Sequence, residues 1–280
     1  MRFFKNVFVG LRAYAKAIRF MKQHKLYWFM LIPAALMLMI YAIGASVKNH
    51  HVATEAETVN DIIWLGIYLL AEISVALLLM KFSKYLVVAI LSPLLAHLSE
   101  KTEKKLTGNT YPWDFKQLVS DVKRAMRIVV RNLMWEYCFF LVLLLVSWFG
   151  WEDPKSSPVF YLTYAIGFYY YGFSFIDYIN ERRRLSMDEG IVFVRKNRGL
   201  AITIGAGYSL LILVPVDLEA MFNFSTFSTD FMGTLGTIGL NLVLWLCASA
   251  APILAIIAAT IAMNDLVDLS TNPYAKNNCP

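Results

Sequence analysis

A chain of 280 residues that is 58% hydrophobic and only 16% charged departs from an ordinary soluble domain, which runs roughly 45–50% apolar and about 25% charged. Its net charge of +6 falls in blocks along the chain and carries no nucleic-acid signature. The composition excludes an ordinary soluble fold and asks how many segments span a bilayer, each needing about 20 apolar residues as a helix.

Residues 1–25 hold seven basic and no acidic side chains. Phe4, Val7, Phe8, Leu11, Tyr14, Ala15 and Ile18 recur at helical spacing, while Lys5, Arg12, Lys16 and Arg19 gather on another face. That pattern predicts a basic amphipathic helix lying in the cytoplasmic leaflet, in contact with membrane lipids. A mitochondrial transit peptide has a similar composition, but this segment passes straight into the uncharged run 26–47.

Residues 62–80 contain only Glu72 as a charge, and 82–98 only Lys84. From Asp61 to Thr107 the one strong interruption is Pro93, so the pattern predicts a single long helix bent at that proline. It would extend about 70 Å at 1.5 Å per residue, against roughly 30 Å of hydrocarbon, and must either protrude into the cytoplasm or break. Leu94, Leu95, Leu98, Thr102 and Leu106 keep one face apolar beyond Pro93, and Glu100 and Lys104 form an i,i+4 pair. Gly108 and Pro112 then supply stop and restart signals. Phe115, Leu118, Val119, Val122, Met126, Val129, Val130 and Leu133 follow at helical spacing, with Lys116, Lys123, Arg124, Arg127 and Arg131 on the other faces. Residues 99–131 are thus expected to form a cytoplasmic helical hairpin.

Two apolar pairs complete the chain: 132–151 with 158–176, and 199–216 with 231–263. Each pair either crosses the bilayer fully or dips into it as a wedge. Charge orients the whole. Residues 1–25, 99–131 and 177–198 are net basic, whereas 48–61, 152–157 and 217–230 are net acidic. The positive-inside rule then places both termini in the cytoplasm. The expected fold is an all-α integral membrane protein forming one membrane domain over 1–280, with two long membrane helices, the hairpin and the two apolar pairs.

Cys138 and Cys247 sit in apolar runs and Cys279 in the tail, with no pairing or metal-ligand spacing. His50 and His51 read as solvated loop residues. There is no phosphate loop, HExxH, GxSxG or telling acid–base pair. Neither an enzyme nor a cofactor is expected.

The order of several short motifs resembles the CysZ-like sulfate permeases, a family sharing a superfamily with the etoposide-induced membrane proteins. Gly10 with its amphipathic helix and Leu31-Ile32-Pro33 open the likeness. Leu91-Ser92-Pro93-Leu94-Leu95 with Leu106-Thr107-Gly108 is the nearest match. Phe175-Ile176-Asp177-Tyr178, then Arg195, Arg198 and Gly199, Val214-Pro215 and Ala258-Ala259-Thr260 follow in order. The resemblance implies sulfate uptake across a bacterial inner membrane without ATP hydrolysis by this chain, as a homo-oligomer. It also implies two long helices and two hairpins entering the bilayer only partly. Two departures stand out. Where the family has a Gly-apolar-Arg turn linked to sulfate, this chain reads Lys25-Leu26-Tyr27-Trp28, leaving Lys25 as the one charge. After Pro215 the segment is longer and carries Asp217, Glu219 and Asp230.

Arg195, Arg198 and Gly199 are the expected anion site, because two guanidiniums precede a helix N-terminus; Lys25 is a further candidate. Arg182, Arg183 and Arg184 form a second basic cluster, with Asp177 as a partner. Glu72, in mid-span, is the expected ion- or proton-path residue. Lys84 and His97 read as snorkelling, and Glu136 as interfacial. The functional expectation is transport of a small oxyanion such as sulfate. The alternative is a structural or assembly protein that organises the membrane or a partner complex.

Overall fold

The structure, a computed structural model, describes residues 2–50, 88, 90–111, 115–153, 156–222, 227 and 230–275. The elements are α1 (Arg2–Gln23), a short 3-10 helix (Leu26–Met30), α2 (Leu31–His50), α3 (Ser92–Thr107), α4 (Phe115–Gly150), α5 (Leu162–Arg182), α6 (Met187–Lys196), α7 (Arg198–Ile212), α8 (Leu218–Phe222), α9 (Phe231–Val267) and a terminal 3-10 turn (Leu269–Thr271). No strand occurs among the described residues.

α1 has three faces rather than two. Asn6, Gly10, Ala13, Ala17 and Phe20 are buried at helical spacing against α7 and α9. Phe4, Phe8, Leu11 and Ile18 stay exposed beside the basic side chains. The small residues let neighbouring helices approach closely, and the outward apolar stripe is left for lipid. Lys25 ends the helix in the left-handed conformation, φ 53°, and Arg2–Gln23 meets Leu26–Ala42 at 105°.

Pro93 does not bend one continuous helix. Val88 and Ile90 are helical, Leu91 is a turn, and α3 begins at Ser92 with the proline in its first turn. Proline lacks an N–H and fits a helix start, where that N–H would be unpaired. Gly108 stops α3 as expected, at φ 82° with its N–H on the Lys104 carbonyl. The two arms of the hairpin then diverge: α3 packs chiefly on α9 and α4 on α5.

The core surrounds the second half of α9. Residues 248–263 are buried throughout, enclosed by α1, α3, α5 and α7. Eight of these sixteen positions are Ala or Ser, so helices cross there at short range. The tightest approach is between α5 and α7. A methyl group at Gly172 would overlap the Ala201 carbonyl, and one at Gly205 would overlap the Phe168 carbonyl.

Among the described residues, Lys123–Gly150 and Phe231–Val267 are long and apolar enough to cross a membrane, and the bent α1–α2 pair makes a third if it counts as one span. α7 is apolar but has only 15 residues, about 22 Å at 1.5 Å per residue. It is too short to cross alone. α1 runs alongside it, with Phe3 and Val7 at Gly199, Gly10 at Thr203, and Tyr14 at Gly207.

Candidate anion-binding site

Two ion pairs brace the helices that carry the basic residues. Arg124 of α4 grips Asp177 of α5 with both faces of its fork, Nε to Oδ2 at 3.1 Å and Nη2 to Oδ1 at 3.0 Å. Its Nη1 donates to the Leu185 carbonyl at 2.6 Å, fixing the turn into α6. Gly190 of α6 seats on this pair; a Cβ there would lie 3.2 Å from Asp177 Oδ1. α6 itself starts with a capping box, in which Ser186 accepts from the Glu189 N–H and Glu189 accepts from the Ser186 N–H. Glu189 is thereby held below the usual carboxylate range.

The second pair joins α3 to α5. Arg182 donates to Glu103 at 3.0 Å and to Ser99 at 2.8 Å, and Ser99 shares a hydrogen bond of 2.7 Å with Thr260 of α9. Tyr111 donates to Glu103, and Asn272 donates to Tyr111 at 2.9 Å. The cluster Arg182-Arg183-Arg184 is therefore not a free anion attractor. Arg183 lies over the Phe193 ring at 5.3 Å, and Arg184 over Tyr274 at 4.5 Å. Asp177 finds its partner in Arg124 rather than in these arginines.

Arg195 ends α6, and Arg198 opens α7 after a single residue, Asn197. Asn197 is buried at this junction, accepting from Asn6 at 2.9 Å and donating to the Phe193 carbonyl at 3.0 Å. Arg195 and Arg198 stay exposed. Gly199 is buried against α1, where a Cβ would lie 2.5 Å from the Phe3 carbonyl oxygen. Its place is a helix crossing, not an open N-terminus.

The structure adds a residue that the sequence reading left on a solvated face. Arg131 of α4 is half-buried, with its guanidinium 5.2 Å over the Phe173 ring. Phe173 lies 6.5 Å from the Tyr169 ring. None of Arg131, Arg195 and Arg198 has an ion-pair partner among the described residues. Arg131 also lines a groove of about 640 Å³ along α4 with Met126, Val130, Met134 and Trp135. Its only early signal was its position immediately before the apolar run that starts at Asn132.

The other expected residues lie elsewhere. Lys25 is exposed at the opposite end of α1 from the Gly199 crossing, roughly 30 Å away along a helix rising 1.5 Å per residue. Glu72, Lys84, His50, His51 and Cys279 fall outside the residues whose side chains are described. His97 is exposed, 6.2 Å from the Phe29 ring. Glu136 is buried between α4 and α5, close against Gly167.

A family model described as Sulfate transporter CysZ/Etoposide-induced protein 2.4 matches residues 13–217. The chain belongs to this family. "Sulfate transporter CysZ" of Pseudomonas paraeruginosa (strain PA7) is 27% identical over 199 residues, covering 67% of this chain and 79% of the relative. The protein of the same name in Pseudomonas aeruginosa strain LESB58 gives the same identity and coverage. The match of this CysZ-family chain includes Arg131, Tyr169, Arg195 and Arg198 and stops before α9. Family membership and the apolar helices make it a membrane protein.

Proposed function

We propose that this protein passes a small oxyanion of the sulfate class across the bacterial inner membrane, without ATP hydrolysis of its own. In this reading it is a multi-pass homo-oligomer with both termini cytoplasmic. The observation that carries it is the pair of exposed guanidiniums at Arg195 and Arg198, which have no ion-pair partner among the described residues, within a chain whose family is described as Sulfate transporter CysZ/Etoposide-induced protein 2.4. Guanidinium groups bind oxyanions through two parallel N–H donors, and these two stand where α6 gives way to α7. The family's arginine turn is absent at Lys25-Leu26-Tyr27-Trp28, so the anion-binding charge moves to this junction. α1 rests its exposed phenylalanines and its basic residues on the cytoplasmic leaflet, in contact with anionic lipid.

The test is uptake of labelled sulfate into liposomes holding the purified full chain. Flux above that of empty liposomes supports transport. Flux equal to empty liposomes for sulfate and related oxyanions leaves the assembly role as the better account.

A further inference from the structure

Arg127 and Arg131 are the last charged side chains on the outward face of α4 before its apolar run. Lys123–Gly150 is long and apolar enough to cross a membrane, and the one charge between 132 and 150, Glu136, is buried against α5. Arg124 is spent on Asp177. Arg127 is exposed, whereas Arg131 is half-buried at the margin of the α4–α5 seam. Its guanidinium lies 5.2 Å over the ring of Phe173, which is itself buried. Its Nη1 is enclosed and has no hydrogen-bond partner among the described residues. A cation partly withdrawn from water without a counter-charge is unfavourable, and orientation by the positive-inside rule does not ask for it.

The two arginines share a groove of about 640 Å³ with Val130, Met134, Trp135 and Cys138, within the roughly 300–1,000 Å³ of ligand clefts. These four side chains are exposed. From Arg127 to Cys138 the helix rises about 17 Å at 1.5 Å per residue. One leaflet's share of the hydrocarbon is about 15 Å. The groove is therefore basic at one end, apolar along the rest, and one leaflet long. We propose that it holds one anionic phospholipid, with the phosphate on Arg131 and Arg127 and an acyl chain along Val130, Met134, Trp135 and Cys138. This goes beyond the oxyanion reading and holds whether or not the chain passes a solute.

Charge and shape select this occupant. A guanidinium offers donors only and meets a phosphate through two parallel N–H groups. A zwitterionic headgroup brings its own cation, which stands against the arginines as a like charge. A free oxyanion satisfies the basic end and leaves the apolar length uncovered. A second copy of this chain fits worse than lipid. A two-fold axis along the membrane normal joins the same patch of both protomers, and so sets Arg127 and Arg131 of each at one depth, like charge to like charge. Trp135, one turn beyond Arg131, suits the aromatic belt of a membrane interface, and basic side chains at that level attract anionic lipid.

Delipidated full-length protein in neutral detergent, titrated with phosphatidylglycerol or phosphatidylcholine of the same chains and read by native mass spectrometry, tests this. Phosphatidylglycerol should bind about tenfold or more tighter than phosphatidylcholine, as two basic groups at the headgroup level predict. Arg131→Ala should weaken phosphatidylglycerol binding by about fivefold or more, the scale of one such group, and Arg131→Lys less. Cys138→Trp, which fills the apolar end, should weaken both lipids and keeps the test open if Arg131→Ala does not fold; circular dichroism checks that each variant is helical. Lys104→Ala, at an exposed lysine of α3, should stay within about twofold of wild type. Equal binding of the two lipids overturns the proposal, as does wild-type binding by Arg131→Ala. An equal loss in Lys104→Ala overturns it by showing bulk attraction. Displacement of the lipid by sulfate or inorganic phosphate at matched ionic strength makes the groove a free-anion site and overturns it too. So does oxidative cross-linking of Cys138 to Cys138 between copies in membranes, which puts a second protomer in the groove.

Discussion

Arg182 on α5 stands 3.0 Å from the carboxylate of Glu103 on α3, and Glu103 is wholly enclosed. Around them Ser99, Thr260, Tyr111 and Asn272 complete the hydrogen bonds. One pair thus ties α3, α5, α9 and the segment after α9 into a single joint. Removing one partner of such a pair strands a charge away from water, at a cost of about 3–5 kcal/mol. Glu103→Ala should therefore lower the thermal unfolding midpoint in detergent sharply. A substitution on the exposed α1 surface, such as Lys5→Ala, should leave it nearly unchanged.

The glycines divide into two classes with opposite expected behaviour. At Gly172 an added methyl meets the Ala201 backbone, which cannot turn aside, whereas at Gly236 of α9 it meets nothing. Gly172→Ala should cost about 1–3 kcal/mol or more by overpacking. Gly236→Ala should stabilise by roughly 0.5–1 kcal/mol, because a helical glycine gives up more backbone entropy than alanine. Unfolding midpoints of the two variants, compared in one detergent, check the sign of each.

α6 carries Arg195 and is anchored at its start by Ser186 and Glu189. Ser186→Ala should cost about 1 kcal/mol of local stability, read as faster amide exchange over the first turn of α6. The depressed Glu189 titration gives a pH signature of the same sign. A carboxylate stabilised when ionised contributes above its ordinary range, and that contribution fades as pH falls through its lowered value. Protection in this turn, taken relative to the intrinsic exchange rate at each pH, should fall on acidification in the wild type and change less in Ser186→Ala.

Local punctuation was legible in the sequence. The Gly108 stop, the amphipathic α1 and the apolar run of α9 all stand where spacing and composition put them. What the sequence hid was which surface covers each apolar residue. Ala248 to Met263 reads the same whether lipid or protein surrounds it, and only the tertiary contacts show that protein does. The charges hid their partners for the same reason. Arg182 and Arg195 look alike in a basic stretch, yet one is spent on Glu103 and the other has no ion-pair partner among the described residues. Arg131 looked like one more residue on a hairpin's wet face, because its contact with Phe173 joins positions 42 apart. Pro93 was read as a bend where the chain starts a new helix; both meanings are open to a proline until the preceding turn is known.

The most direct test of the account is sulfate flux through one set of proteoliposomes holding wild type, Arg195→Ala/Arg198→Ala or Lys25→Ala. The wild type should exceed empty liposomes, the double variant should lose most of that flux, and Lys25→Ala should keep most of it. Flux that survives in the double variant but disappears with Lys25→Ala would contradict the account, placing the anion at the α1–α2 elbow rather than at the junction of α6 and α7.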